Sequence, residues 1–487
     1  MQSSEPTRRA AEEVIARQDR IPIWALSYIF IGILGAGYVF IFYDIFNINV
    51  SFIQTALTLG WVQSPTSPGI AELEGPAVLL NVVGYVIGAL ILSPLSDRYG
   101  RREMLIITLL ITAAGSILNA FVSTYAWFVA ARTITGIGVG ADLALVNTYI
   151  NEVAPTNGRA KYTALLFVLA GIGTVSAVWL GLILTTPSAP FPYGLPFALG
   201  GSGFMAVNGW RVMYALGGTL AFIGVLLRVG LPESPRWLIN SDRVSEAEEI
   251  VQQMEERSLR HVAQLPEVPP HIHAIQKVKP ASYSEIFRNP TYRNRTILLF
   301  LVWFFGYVTI YIISAALSPL LVALGFPFPE NGMIVALGVF GFVLAGLFVV
   351  SIGDKMERKL WAPVGAVITT VGAISIGFFG LGNFGLATLG AFLIFVGIDI
   401  WVPITYAWST ESFPTRARAT GFALADGVGH LGGGIGLIAV AAVISLLLPV
   451  FGTIGIFLVV ALFQTISAAL AQMGPKTANK RFDEVSP

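Results

Sequence analysis

Two oppositely charged residues, Asp44 and Arg132, stand inside apolar stretches of this sequence. Asp44 follows Phe42 and Tyr43, and Arg132 precedes a glycine-rich run that ends at Gly140. A charge in hydrocarbon is costly alone but tolerated as half of an ion pair. A buried carboxylate stays ionised beside arginine and favours the protonated form without it. The two residues therefore predict a proton-coupling pair, with a purely structural ion pair as the alternative.

Further polar side chains within apolar stretches are candidates for a solute site. Asp426 and His430 are four residues apart, on one face of a helix, where they could share a proton or hold a hydroxyl group. Alternatively, His430 bonds a backbone carbonyl. With Asp44 and Asp399 also inside apolar stretches, the excess of carboxylates over Arg132 and His430 disfavours a strongly anionic solute. The predicted solute-binding residues are Asp142, Asn147, Tyr307, Tyr311, Tyr406, Trp408, Asp426 and His430.

The elements that must position these residues are membrane-spanning helices. The chain has 487 residues, of which 55% are hydrophobic and only 12% charged, and its mean hydropathy is +0.74. Soluble domains carry roughly 25% charged residues, and one helix crosses a bilayer with about 20 apolar residues. We predict an all-α membrane protein with spans near 22–47, 76–96, 103–122, 126–151, 161–185, 208–230, 294–325, 331–352, 360–381, 383–409, 417–446 and 449–472.

The positive charges predict the orientation of these spans. All but two of the 29 Lys and Arg residues lie on one face or at span ends bordering it; the exceptions are Arg132 and Arg211. That face is expected to be cytoplasmic and to hold both termini of a multi-pass plasma-membrane protein. The first 21 residues are polar and are followed by a full-length span without a small-residue cleavage site, which argues against a cleaved signal peptide. The predicted divisions are a cytoplasmic segment 1–21, a six-helix bundle 22–230, a cytoplasmic linker with short helices 231–293, a second six-helix bundle 294–472 and a cytoplasmic tail 473–487.

An internal repeat relates the two halves. The segment EVAPTNGRA at 152–160 recurs as ESFPTRARA at 411–419, and DRYGRR at 97–102 recurs as DKMERK at 354–359. Such repeats imply two pseudo-symmetric bundles that rock about a site near the midplane. Acidic and basic groups at helix ends can pair and hold one side shut. The predicted cytoplasmic gate comprises Asp97, Arg98, Arg101, Glu152, Arg159, Asp354, Arg358, Glu411 and Arg418.

These motifs resemble those of a known family. The segment GALILSPLSDRYGRR at 88–102 resembles the signature between spans 2 and 3 of the major facilitator superfamily, and LPESPRWL at 231–238 resembles its sugar porters and proton-coupled phosphate and metabolite symporters. The resemblance covers nearly the whole chain and implies the major facilitator fold. Asp44 and Arg132 are similar to the positions where proton-linked sugar porters carry an acidic residue and arginine.

The chain also departs from both branches of that family. Phosphate symporters have an acidic residue where this chain has Tyr307 and a lysine where it has His430. Sugar porters usually carry glutamine and asparagine in the middle of spans 5 and 7, where this chain has neither. The resemblance therefore leaves the solute undecided.

The remaining patterns exclude several functions. The chain has no cysteine, and the scattered basic residues do not form a nucleic-acid surface. The glycine-rich run 429–436 lies within an apolar span with no preceding strand, so it is not a nucleotide-binding loop. We expect no enzyme activity, cofactor or metal. The sequence predicts a monomeric secondary transporter for protons and a sugar or similar small polar metabolite; the alternatives are an organic acid or phosphate symporter, a uniporter and a non-transporting nutrient sensor.

Overall fold

Twelve long apolar helices dominate the computed structural model, which describes residues 5–65, 67, 69–155, 158–268, 282–414, 417–439, 454–478, 480 and 485. Each is long and apolar enough to cross a membrane. Numbered as spans 1 to 12, they are Tyr28–Thr58, Glu72–Tyr99, Arg101–Phe121, Tyr125–Val153, Arg159–Thr185, Gly203–Arg228, Pro290–Val322, Glu330–Lys355, Arg358–Phe379, Phe384–Glu411, Arg418–Ala439 and Ile454–Ala471. Span 11 is predicted to end near residue 446 and span 12 to begin near residue 449. Both of these ends lie within 440–453, outside the described residues.

Span 1 differs from its prediction at both ends. It begins at Tyr28 rather than near residue 22, and it continues to Thr58 rather than ending near residue 47. The added turns contain polar residues that resemble a loop in the sequence. In the structure several of these side chains are hydrogen-bonded: Ser51 donates to the carbonyl of Asn47 at 2.8 Å, and Asn49 donates to the carbonyl of Ser314 at 2.7 Å. Since buried polar groups are tolerated when they are hydrogen-bonded, the helix continues through them.

Three spans contain a short π-helical segment, and span 10 is interrupted. The π-helical segments are Gly88–Leu92, Ser375–Phe379 and Ala423–Gly427. Span 10 consists of Phe384–Asp399 and Val402–Glu411, with Pro403 in the first turn of the second helix. Local departures of this kind often mark functional positions in membrane helices.

The same helix pairings recur in both halves of the chain. Span 1 packs on spans 5 and 6, span 2 on span 4, and span 3 on spans 4 and 6. In the second half, span 7 packs on spans 11 and 12, span 8 on span 10, and span 9 on spans 10 and 12. The protein is therefore built from two pseudo-symmetric six-helix bundles, as the internal repeat predicts.

Two symmetry-related pairs of spans contribute to the contact between the bundles. Span 5 packs on span 8, and span 2 packs on span 11. Gly171 of span 5 faces span 8, where an added Cβ would lie 2.8 Å from Val343 Cγ2. Small residues of this kind let two helices approach closely.

Short helices cover the face that carries both described terminal segments, which we name the terminal face. The N-terminal helix Glu5–Asp19 packs against Pro235–Asn240 and against the linker helix Val244–Leu259 through an apolar cluster around Val14, Leu238 and Val251. The helix Val244–Leu259 is one of the short helices of the linker 231–293. A fourth short helix is Tyr283–Arg288.

Candidate functional site

The predicted coupling residues Asp44 and Arg132 form a buried ion pair. Arg132 Nη1 lies 2.7 Å from Asp44 Oδ2, and Ser116 donates to Asp44 Oδ1 at 2.8 Å. The guanidinium carbon of Arg132 lies 5.9 Å from the ring centroid of Tyr214. Spans 1, 3, 4 and 6 supply these residues, so the pair lies wholly within the first bundle.

Asp142 lies inside the first bundle, where the structure does not bring it together with the predicted solute-binding residues of the second bundle. Its carboxylate receives both terminal nitrogens of Arg228, with Nη2 2.8 Å from Oδ2, and the hydroxyl of Thr108 at 2.8 Å. Arg228 is fully buried, and Gly37 leaves room for it because an added Cβ would lie 2.2 Å from Arg228 Nη2. A second Asp–Arg pair therefore holds spans 3, 4 and 6 together.

Asn147 and Trp408 also lie away from the predicted site. Asn147 donates to the hydroxyl of Tyr38 and to the carbonyl of Leu143, both at 2.7 Å. Trp408 donates from its indole nitrogen to the carbonyl of Pro475 at 3.0 Å, at the terminal face. Their hydrogen bonds place Asn147 in the packing of the first bundle and Trp408 against the C-terminal segment.

A cavity of about 50 Å³ lies between the two bundles. Aromatic and aliphatic side chains form most of its wall, and both bundles contribute. The lining residues are Phe42, Ile45, Phe46, Leu143, Phe167, Tyr307, Ile310, Tyr311, Ser314, Phe342, Phe395, Ile398, Val402, Tyr406 and His430. Sites for small molecules typically enclose roughly 300–1,000 Å³. In this arrangement the cavity is therefore smaller than a typical small-molecule site.

Behind the cavity wall, a connected polar cluster around Asp426 includes the lining residues Tyr307 and Tyr406. Tyr307 donates to Asp426 Oδ1 at 2.6 Å, and Tyr85 donates to Oδ2 at 3.1 Å. The hydroxyls of Tyr307 and Tyr406 are 3.0 Å apart. Both oxygens of Asp426 are thus occupied by tyrosines. Asp426 lies in the π-helical segment of span 11.

His430 lies between two tyrosine rings. Its centroid is 3.6 Å from the centroids of Tyr85 and of Tyr307. His430 Nδ1 lies 2.9 Å from the carbonyl oxygen of Asp426, which matches the alternative of a backbone-bonded histidine. Since a carbonyl oxygen only accepts, Nδ1 carries the proton, and Nε2 of the neutral ring is a hydrogen-bond acceptor.

The predicted gate residues form matching networks in the two halves at the terminal face. Arg101 lies 2.5 Å from Asp97 and 3.1 Å from Glu152. At the equivalent positions of the second half, Arg358 lies 2.9 Å from Asp354 and 3.2 Å from Glu411. Each of these four contacts joins residues of the same half.

The other predicted gate residues differ in their surroundings. Arg159 and Arg418 are buried where spans 5 and 11 begin, and Arg418 donates to the carbonyl of Thr410 at 3.2 Å. Arg98 instead lies over the ring of Tyr99, 5.3 Å from its centroid. The backbone amide of Lys161 donates to Asp354 Oδ2 at 3.0 Å, which joins the two halves at this face.

Glu233 was missed as a member of this region. It accepts the backbone amides of Arg101, Arg102 and Ser234 at 3.1, 3.2 and 2.7 Å. Burial raises the pKa of Glu233, although the backbone hydrogen bonds oppose the shift. An acidic group at a helix N-terminus is favourable, so Glu233 links the 231–238 motif to the start of span 3.

Comparison with known proteins places these features in context. A family model described as "Sugar (and other) transporter" matches residues 29–487. The niacin transporter NiaP of Acinetobacter baylyi is 26% identical over 97% of this chain and 99% of its own length. A D-xylose transporter of Levilactobacillus brevis is 28% identical over 77% of each chain.

A solved structure shares the architecture. The structure of XylE, a proton:xylose symporter of the major facilitator superfamily, aligns with a TM-score of 0.69 and 21% identity, over 95% of this chain and 99% of its own. At this identity the likeness establishes the fold and leaves the solute open.

Proposed function

The chain belongs to the sugar (and other) transporter family, and from this membership we propose that it moves a small polar metabolite together with protons by alternating access. The observation that carries the proposal is the buried Asp44–Arg132 pair next to the cavity between the bundles. Phe42, Ile45 and Phe46 of span 1 line that cavity. A displacement of span 1 by solute would therefore also displace Asp44.

The proposed coupling follows from the chemistry of the pair. While Arg132 contacts Asp44, the carboxylate is favoured in its ionised form. If opening separates the two side chains, the unpaired carboxylate binds a proton from water on the open side. Return of Arg132 expels the proton on the other side. A pH gradient can drive accumulation of the solute, and the membrane potential adds about 2.3 kcal/mol per 100 mV for each net positive charge that moves inward, so it contributes when the solute is uncharged.

The cavity wall favours a flat, ring-shaped solute. Its side chains offer ring faces from both bundles, whereas its polar groups are tyrosine hydroxyls, Ser314 and His430. Both oxygens of Asp426 are already occupied by Tyr307 and Tyr85. Aromatic faces pack well against planar rings. We therefore propose a small aromatic acid as the solute, in line with the niacin transporter relative.

A sugar is the second candidate. The D-xylose relative supports it, and aromatic faces can pack on the C–H edges of a sugar ring. The two solutes also differ in charge, because an aromatic acid is an anion at neutral pH. The excess of buried carboxylates in the sequence disfavours an anionic solute. Arg132 and Arg228 lie beside Asp44 and Asp142 and neutralise two of these carboxylates, so this argument against an anion is weaker.

Proton movement in liposomes tests the proposed function. The purified full chain is reconstituted, and a pH-sensitive dye reports the medium while niacin, other aromatic acids, D-xylose, other sugars or phosphate is added. Alkalinisation of the medium with one solute is the expected result. Binding of a solute without transport would indicate a sensor, and transport without proton movement would indicate a uniporter.

We further propose that the terminal face is cytoplasmic and that the matching Arg101 and Arg358 networks gate it. The distribution of Lys and Arg supports this orientation. We propose that the protein lies in the plasma membrane, works as a monomer and catalyses no reaction. We propose the following divisions of the chain: an N-terminal segment 1–21, a first bundle 22–230, a linker 231–293, a second bundle 294–472 and a tail 473–487. Cysteines introduced at Ser4 and Ser486 should be labelled by a membrane-impermeant reagent only after the membrane is opened.

A further inference from the structure

Asp399 is a fully buried carboxylic acid in the interruption of span 10. Within the described part of the chain, neither of its carboxyl oxygens has a hydrogen-bond partner. It is the last residue of the first helix of span 10, where backbone carbonyls carry partial negative charge. Its position therefore disfavours a negative charge on its side chain.

No charged side chain compensates Asp399 in the described residues. Charged and titratable groups of the neighbouring elements lie mainly at the span ends: Arg159, Lys161 and Tyr162 in span 5, Glu330, Asp354 and Lys355 in span 8, Arg358 and Lys359 in span 9, and Tyr406 and Glu411 in span 10 itself. Ionised carboxylates buried without a partner are so costly that they take up a proton instead. Asp399 is thus neutral in this closed arrangement.

The position of Asp399 makes this protonation depend on conformation. An added Cβ on Gly346 of span 8 would lie 3.2 Å from Asp399 Oδ2 and 3.0 Å from Val168 Cγ2 of span 5. Asp399 therefore lies at the contact between the two bundles, and its neighbours Ile398 and Val402 line the cavity. Separation of the bundles admits water to this contact, and water stabilises the ionised carboxylate.

We propose that Asp399 is a second proton-binding site, and that its protonation permits the two bundles to close over the cavity. The carboxylate takes a proton from water when the cavity is open and holds it, as a neutral acid, while the cavity is closed. It can return the proton to water at the next opening, and no other bond changes. This inference rests on the proposed alternating-access transport but requires no net proton movement with the solute.

The pH dependence of solute exchange across liposomes tests the inference. Ionised Asp399 opposes closure, so exchange by the wild-type chain should fall as the pH rises. Asp399→Asn stays neutral and should exchange at least about tenfold faster than the wild type one pH unit above the midpoint of that fall, because each unit lowers the protonated fraction about tenfold. The same alkaline fall in both chains would overturn the proposal.

A matched control is Glu74→Gln. Glu74 is also buried and has an oxygen without a described partner, but it lies near the start of span 2, and neither Glu74 nor its neighbours in the sequence line the cavity. This variant should keep the wild-type pH profile. If Glu74→Gln removes the alkaline fall and Asp399→Asn does not, the assignment to Asp399 is wrong.

Infrared spectroscopy of the reconstituted full chain gives a readout that does not depend on transport. Protonated carboxylic acids show a carbonyl band that carboxylates lack. At neutral pH this band should be weaker in Asp399→Asn than in the wild-type chain. An unchanged band in Asp399→Asn would overturn the proposal even if that variant transports poorly, whereas a wild-type chain without proton-coupled uptake would overturn only the proposed function.

Discussion

The two bundles share their helix pairings, but their buried aspartates have different partners. In the first bundle, Asp44 is paired with Arg132, and Asp142 is paired with Arg228. In the second bundle, Asp426 is held by tyrosine hydroxyls, and Asp399 has no described partner. The repeat has therefore conserved the architecture while the charges inside the membrane have diverged.

This difference separates two kinds of intramembrane acid. An aspartate paired with arginine is stable only while both partners are present, so its protonation changes only if the pair opens. An aspartate without a cation can change protonation whenever water reaches it. The first bundle thus supplies charge pairs that depend on conformation, and the second bundle supplies carboxyl groups whose charge depends on solvent access.

Arg228→Met should cause the largest loss of stability. Removal of the guanidinium leaves Asp142 buried without a cation, a change that typically costs about 3–5 kcal/mol. Thermal unfolding of the purified protein should show a clearly lower midpoint. The double variant Arg228→Met with Asp142→Asn should recover most of the loss. An unchanged midpoint in Arg228→Met would show that Asp142 does not depend on a buried cation. A similar loss of stability in Asp399→Asn would show that the aspartates of the two bundles do not differ in this respect.

Tyr307→Phe should have an intermediate effect on solute binding. The substitution leaves one oxygen of the buried Asp426 without its donor, and loss of one partner of a buried hydrogen bond costs about 1–3 kcal/mol. We expect about a tenfold or larger rise in the solute concentration for half-maximal uptake. Tyr149→Phe is the matched control, since it also loses a hydrogen bond from a buried tyrosine hydroxyl, to the carbonyl of Pro232, but Tyr149 does not line the cavity. Equal effects of the two variants would show that the hydrogen bond from Tyr307 to Asp426 makes no specific contribution to solute binding.

Glu255→Gln should have the smallest effect, at the terminal face. Arg17 and Arg20 each lie 2.7 Å from the Glu255 carboxylate. Burial raises the pKa of Glu255, but the two arginines lower it more, so the net pKa lies below the usual 4.5. Ion pairs near the surface contribute about 0.2–1 kcal/mol each. Amide hydrogen exchange in the N-terminal helix should quicken in this variant.

The pH dependence of the same contact follows from the lowered pKa. Stability from Glu255 is complete above its unfolded pKa and is lost as the pH falls through its folded pKa. The N-terminal helix of the wild-type chain should therefore loosen in acid, below the usual 4.5 of a glutamate, whereas Glu255→Gln should lack this acid transition. Identical acid behaviour of the two chains would exclude Glu255 as its cause.

Much of the architecture could be predicted from the sequence. The twelve spans and the prediction of a major facilitator fold are confirmed by the structure and the comparisons, as is the prediction of a small-metabolite transporter at the level of the family. The length of each apolar stretch and the repeated motifs can be read directly from the sequence, so these features can be predicted without a structure. The Asp44–Arg132 contact was also predictable, because each charge would be costly alone in its span.

The solute site was less predictable because it depends on which way a side chain faces. Asp142 and Asn147 look like site residues in the sequence, but Arg228 and Tyr38 bind them inside the first bundle. A signal for Arg228 was present, since Asp142 in an apolar span required a cation. The aromatic wall was missed because phenylalanines in apolar spans carry no signal that separates lipid contact from a cavity.

Uphill uptake by Asp44→Asn tests the central claim of proton coupling most directly. Liposomes with the wild-type chain or the variant are given a pH gradient, and solute accumulation is compared with exchange between equal compartments. We predict that Asp44→Asn loses accumulation and retains most of the exchange, because the neutral side chain cannot carry a proton. Accumulation equal to that of the wild type would contradict the account and make the Asp44–Arg132 pair structural.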